Sequence, residues 1–224
     1  MITRIGFNIF KDIIKYIRLL FYISHATSSF MKLKITLFVL FLLSFSAARA
    51  QTVFDTYVDF NNAVYQGQTA TAFTLADQII NSKEKLPAKS EVNFYQKLGR
   101  LYETQQQAAK AIMYYERVAA AEPNYYTAQR ALGYLYMQRT NELGKKLNAS
   151  AANKTAYLQN MAEYKKAVTK CLPYLEKAQA CDPDDQTLNT IKSLYHAIGD
   201  DAGIKSLDGR LKQMSANCVS LLTN

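Results

Sequence analysis

What the sequence has least of is the raw material of catalysis and metal binding. Beyond residue 50 it carries one histidine, His196, and three cysteines, Cys171, Cys181 and Cys218. No spacing of His, Cys, Asp and Glu matches a zinc site. Asp182, Asp184 and Asp185 flank Pro183 but lack the 12-residue loop, with its glycine and bidentate glutamate, that a calcium site needs. Helix capping explains them better, with Asp184 or Asp185 accepting from the free N–H groups that begin the next helix. A His196 pair with Cys181 or Cys218 would need an orienting third group, and nothing in the sequence supplies one. The expectation is therefore a protein that is no enzyme and holds neither metal nor cofactor, with His196 on a helix surface.

Long apolar runs are also missing. The longest, Leu37–Leu43, falls well short of the ~20 residues of a comfortable membrane span. Lys32 and Lys34 precede it, and Ala48-Arg49-Ala50 supplies the small residues of a cleavage site, so Met31–Ala50 has the three-part layout of a secretory signal peptide. No cysteine lies near that point to accept a lipid. The reading is a periplasmic or secreted protein with no stable membrane insertion after cleavage. In residues 1–30, Arg4, Lys11, Lys15 and Arg18 alternate with Ile13, Ile14, Ile17, Leu19, Leu20 and Phe21 in an amphipathic pattern. That segment is either an over-extended gene start, the reading that a natural start at Met31 favours, or a leader extension.

Clustered charge is lacking as well. The net charge is +9, but seven of the 27 basic and one of the 18 acidic residues precede Gln51, which leaves +3 over residues 51–224. Those charges are mixed along helical faces, so a nucleic-acid partner is not expected. The 174 residues that remain suit one domain. Three cysteines allow one disulfide at most. Cys181 and Cys218 can meet only if the C-terminal tail folds back, which sequence leaves open.

What is present is a spaced pattern. Tyr95, Leu98 and Tyr102 mark one helix face, and Ala111, Tyr115 and Val118 mark another. Gly99 permits close backbone approach, Ala111 does the same on the second helix, and Pro123 stops it. The order Tyr95, Leu98, Gly99, Tyr102, Ala111, Tyr115, Val118, Pro123 resembles the tetratricopeptide repeat, which places Trp, Leu, Gly, Tyr, Ala, Phe, Ala and Pro at these intervals. A second copy starts near Tyr126 with Leu132, Gly133 and Tyr136, and finishes with Cys171, Leu175, Ala178 and Pro183, after an insertion of 26 residues. Gly144–Lys154 reads as the tip of two elongated helices. A degenerate copy follows, with Leu188, Ile191 and Tyr195 on one face, Gly199 closing the helix, and a second helix from Ala202 to Met214. Lys192 stands at its glycine-type position and Ile204 at its small one. Upstream, Phe60 and Ala63, then Gly67, then Ala72, Ala76 and Ile79 give a divergent first copy.

The resemblance covers about Thr52–Met214 and implies an all-α, tetratricopeptide-type helical-hairpin solenoid. It would have three to four hairpins near residues 54–82, 91–123, 126–183 and 185–214, one of them elongated, in a domain of residues 51–224. It further implies a scaffold whose inner helices line a concave groove for a protein or peptide partner. Here that face maps to Asn93, Gln96, Arg100, Arg130, Tyr134, Asn189, Ser193 and His196. Gln96 and Arg100 stand where the family's carboxylate clamp has Lys and Asn, so that chemistry is not reproduced. Tyr95, Tyr102, Tyr115, Tyr136 and Tyr195 have packing positions. Tyr114, Tyr125, Tyr126, Tyr134, Tyr157 and Tyr164 do not, and such surface rings would serve an alternative function, a glycan or small-ligand site around Tyr157 and Tyr164.

Overall fold

The computed structural model describes Lys15 and residues 52–222, so the signal-peptide and leader readings of residues 1–50 lie outside the described residues. The chain divides at Gln51 into two units, and among the described residues the second, Thr52–Asn224, holds nine helices. They are α1 (Val53–Tyr65), α2 (Thr69–Asn81), α3 (Ala88–Thr104), α4 (Ala108–Ala121), α5 (Tyr126–Ala149), α6 (Lys154–Cys181), α7 (Asp185–Ile198), α8 (Asp201–Lys205) and α9 (Leu207–Ser215). This unit is all-α. Among the described residues no helix is long and apolar enough to cross a membrane.

Local chemistry sets the ends. Thr52 and Asp55 cap α1 reciprocally, each satisfying an N–H that the first turn leaves free. Asn153 caps α6 by accepting from Ala156 N, and Asp184 caps α7 by accepting from Gln186 N and Thr187 N. The Thr187 hydroxyl also donates to this carboxylate, and that bond, ahead of the one from Thr187 N, holds the Asp184 carboxyl below its ordinary range. The α1–α2 and α3–α4 turns have the same construction. Gly67 at φ 70° and Gln106 at φ 57° each take the left-handed conformation. The next residue then reaches back, Gln68 N to Ala63 O and Gln107 N to Tyr102 O, both at 2.9 Å.

Consecutive helices pair, α1 with α2, α3 with α4, α5 with α6 and α7 with α8, while α9 returns onto α6. Each pair leaves an apolar face that only the next can cover. Three apolar clusters result, one around Phe60, Phe94 and Leu98, one around Ala111, Tyr115 and Leu132, and one around Leu175, Ile191 and Leu207. Tyr95 and Tyr102 pack against the first two clusters, and Tyr136 packs against the second and third.

The glycine positions explain how closely the helices approach. A Cβ on Gly99 would sit 3.0 Å from the Tyr115 ring, and one on Gly133 would sit 2.6 Å from Leu175 Cδ2 and 3.2 Å from Leu175 N. Gly133 therefore meets Leu175 across the insertion as Gly99 meets Tyr115 without one. Cys171 is fully buried on the same seam, its thiol 3.2 Å from Gly133 O, and burial pushes that thiol up to about 12. The insertion itself consists of the distal halves of α5 and α6, joined by a short turn at residues 150–153.

Two details differ from the sequence reading, and a third settles what it left open. Tyr114 and Tyr125, placed on the surface by their register, are 7% and 8% exposed. Tyr114 stacks between Tyr95 and Tyr102, with ring centroids 5.8 and 5.5 Å away, and Tyr125 is covered by the C-terminal tail. The continuous helix expected from Ala202 to Met214 breaks at Ser206, whose hydroxyl and backbone N–H both donate to Ala202 O. The close approach in this last hairpin belongs to Gly203, against the Tyr195 ring. Finally, Cys181 and Cys218 are bonded, with Cα atoms 5.5 Å apart. The tail folds back, and neither sulfur is a thiol that His196 could activate.

Gly133→Leu should lower stability by about 1–3 kcal/mol by overfilling the α5–α6 seam, measured as the urea midpoint. Gly209→Ala, on α9 with nothing within 4 Å, should instead raise it by up to about 1 kcal/mol. An unchanged midpoint for Gly133→Leu would reject the packing register across the insertion.

Candidate functional site

Side chains at successive helical turns of α3 and α5 line a cleft of about 540 Å³ between the two helices, and the tail residues Leu221 and Leu222 form part of its wall. Asn93, Gln96 and Arg100 enter from α3, and Arg130 and Tyr134 from α5, so five of the eight groove residues expected from sequence come together. Asn189, Ser193 and His196 lie exposed on α7 and are absent from that lining. A second cleft of about 410 Å³ lies between α1 and α3, lined by Asn61, Tyr65 and Thr104 among others. Lys97 and Arg100 border both clefts, which makes one inner surface running from α1 to α5. Tyr65 is 93% exposed there.

The polar groups of this surface differ in how far they are committed. Arg130 pairs with Asp182 at 2.6 Å and donates to the Asp182 carbonyl at 3.1 Å. The Tyr134 hydroxyl lies 2.9 Å from Thr187 Oγ1. Both side chains thus tie α5 to the start of α7. Glu103 accepts from Tyr115. Lys97 donates to Asn61 Oδ1 at 2.5 Å, and burial pulls its pKa down. Arg100 is exposed and has no ion-pair partner among the described residues. Gln96 Oε1 is buried with nothing donating to it, alone in this among the described side chains. A buried acceptor without a donor costs roughly 1–3 kcal/mol. The unpartnered oxygen, an acceptor, and the guanidinium, a donor, belong to side chains that line the same cleft.

Sequence reasoning missed Lys97, although its spacing from Asn93 and Arg100 places it on the same face, and it missed the tail. The tail was findable only through the Cys181–Cys218 pairing that sequence left open. Of the surface tyrosines expected from sequence, Tyr157 and Tyr164, the pair proposed for a glycan, are both half-buried. Tyr126 lies beneath the Arg130 guanidinium at 5.5 Å, and Tyr164 is half-buried across Gly144, 3.4 Å from where a Cβ would be. Among the described residues no cluster of three or more His, Cys, Asp and Glu could hold a metal ion. Comparison with known families, with curated proteins and with solved structures finds no match to this chain.

Two polar clusters away from the clefts hold the hairpins in register. Glu116 accepts from Tyr136 at 2.6 Å and from Lys170 at 2.9 Å, joining α4, α5 and α6. Those bonds, Tyr136 first, hold its carboxyl below 4.5, while burial and Glu116 push the Tyr136 hydroxyl up to about 12. Glu176, 3% exposed, accepts from Tyr195 and twice from Arg210, joining α6, α7 and α9.

Gln96→Met should leave stability unchanged or raise it by up to about 1 kcal/mol, because it removes an unsatisfied acceptor from a buried place. A clear loss in chemical denaturation would show that Gln96 has a structural partner. For Glu116 the folded-state pKa is depressed, so its stabilisation is present above 4.5 and lost as pH falls through the folded value. The gap between parent and Glu116→Gln should be full at neutral pH and should close on acidification below 4.5; a gap independent of pH would mean that the carboxylate charge plays no part.

Proposed function

We propose that this chain is a non-catalytic interaction scaffold built from tetratricopeptide-like hairpins, and that it holds an extended peptide of a partner protein against the inner surface of α1, α3 and α5. The observation that carries this reading is Gln96 Oε1, a buried acceptor without a donor, in the same cleft as the unpaired Arg100. A peptide backbone supplies both complements, N–H for the glutamine and C=O or a carboxylate for the guanidinium. The repeat reading is supported by the matched Gly99–Tyr115 and Gly133–Leu175 contacts and by the two identical turns. Export to the periplasm or beyond the cell is supported by the layout of Met31–Ala50, and a disulfide fits an oxidising compartment.

The test is cross-linking and affinity capture from envelope extract, with Arg100→Glu beside the parent. Arg100 suits this better than Arg130 or Tyr134, whose bonds to Asp182 and Thr187 also hold α7. Arg100→Glu should reduce recovery of the specific partner by ~10-fold or more, the size expected for reversing a charge at the centre of a contact, with helicity by circular dichroism unchanged. Equal recovery by both proteins would reject the groove.

A further inference from the structure

Beyond α9 the chain runs as an extended strap across the α4–α5 turn. Val219 N donates to Asn124 O at 2.8 Å, and Tyr126 N donates to Val219 O at 3.2 Å, the pairing of a one-residue parallel bridge. Val219 and Leu222, three residues apart, rest half-buried on the α4–α5 core, and Leu221 between them is 77% exposed. Side-chain and covalent anchors hold the strap at its start. Lys177 Nζ donates to Met214 O, Asn217 O and Asn124 Oδ1, and Cys218 is bonded to Cys181 at the end of α6. Past Cys218, two main-chain hydrogen bonds and two partly buried side chains are what attach it among the described residues.

Building on the scaffold reading above, we propose that the α4–α5 turn at Asn124–Tyr126 is a docking edge for an extended segment of the partner, now occupied by the chain's own residues 219–222, and that the Cys181–Cys218 bond controls access to it. Both ladder bonds are main chain to main chain, so any extended segment can replace them. The strap shows what side chains fit: two apolar residues three apart. Because Leu221 and Leu222 border the cleft that holds Gln96 and Arg100, a longer segment entering by this edge continues towards that acceptor and guanidinium. While tethered, the strap competes at an effective concentration on the order of millimolar. A dithiol reductant opens the bond at Cys218, the more exposed sulfur. Its thiolate attacks Cys218 Sγ and Cys181 leaves as thiolate and takes a proton; the reductant's second thiol then releases Cys218 and closes its own disulfide. Without the bond, the residues beyond Asn217 lose the covalent anchor that holds them against the turn.

The probe is a fluorescein-labelled, C-terminally amidated peptide with the sequence of Asn217–Leu222 and serine for Cys218, titrated by anisotropy into the full chain. Three proteins are compared: the oxidised parent, the parent in dithiothreitol, and Cys218→Ser. The last two should bind at least ~10-fold more tightly, since the competent state is no longer occluded. Amide exchange at Val219 and Tyr126 should quicken by a similar factor, with Leu98 unchanged. Equal affinity for all three, binding by none, or unaltered exchange at Val219 would overturn the proposal. So would loss of Leu98 protection, because the bond would then hold the fold rather than the strap. The peptide is defined, so a failure here with Arg100-dependent capture intact rejects the strap alone, and failure of the capture leaves this result standing.

Discussion

Where α3 meets α4, and again where α5 meets α6, a glycine on the first helix receives the side chain of the second, and the rest of the unit is arranged around that close approach. Gly99 admits the Tyr115 ring and Gly133 admits Leu175, each with no room for a Cβ in ordinary contact. The short interhelical distance buries Leu98, Ala111 and Val118 in one pair and Leu132, Cys171 and Ala178 in the other. It leaves each pair with an apolar outer face, which is why the pairs stack and why the core runs as three linked clusters instead of one centre.

The links between those clusters are aromatic rings with polar tips. Tyr95, Tyr115, Tyr136 and Tyr195 each donate to a glutamate, Glu91, Glu103, Glu116 and Glu176 in turn. A buried ring stabilises by its area, and its hydroxyl needs an acceptor if that gain is to be kept. Three of these bonds bridge different helices, so one residue type supplies both apolar contact and orientation. This structural work takes up many of the rings that composition alone would offer to a ligand.

The inner surface stands apart from this economy of satisfied groups. Arg130, Tyr134 and Glu103 are spent on neighbouring elements, whereas Gln96 Oε1 has no donor and Arg100 no ion-pair partner among the described residues that line the cleft. Native interiors seldom keep a buried acceptor without a donor. The strap beside it pairs with the α4–α5 turn through main-chain bonds, which shows that this rim accepts extended chain.

Legible in the sequence were most of the helices, the pairing of the first six and the residues of their seams, because those follow from local spacing: small residues where backbones touch, apolar residues every third or fourth position, and capping groups at the ends. It also marked Asn93, Gln96 and Arg100 as neighbours, since residues on one helix face share a direction whatever the tertiary fold. Which long-range partners meet is set by the packed fold. That Arg130 is neutralised by Asp182, that Tyr114 is enclosed by Tyr95 and Tyr102, that Glu176 is buried with Arg210, and that Cys218 returns to Cys181 all depend on segments far apart in the chain. Short-range periodicity carries no record of such separations. The three-dimensional path of the stacked helices sets them, and with them which polar groups of the cleft remain free.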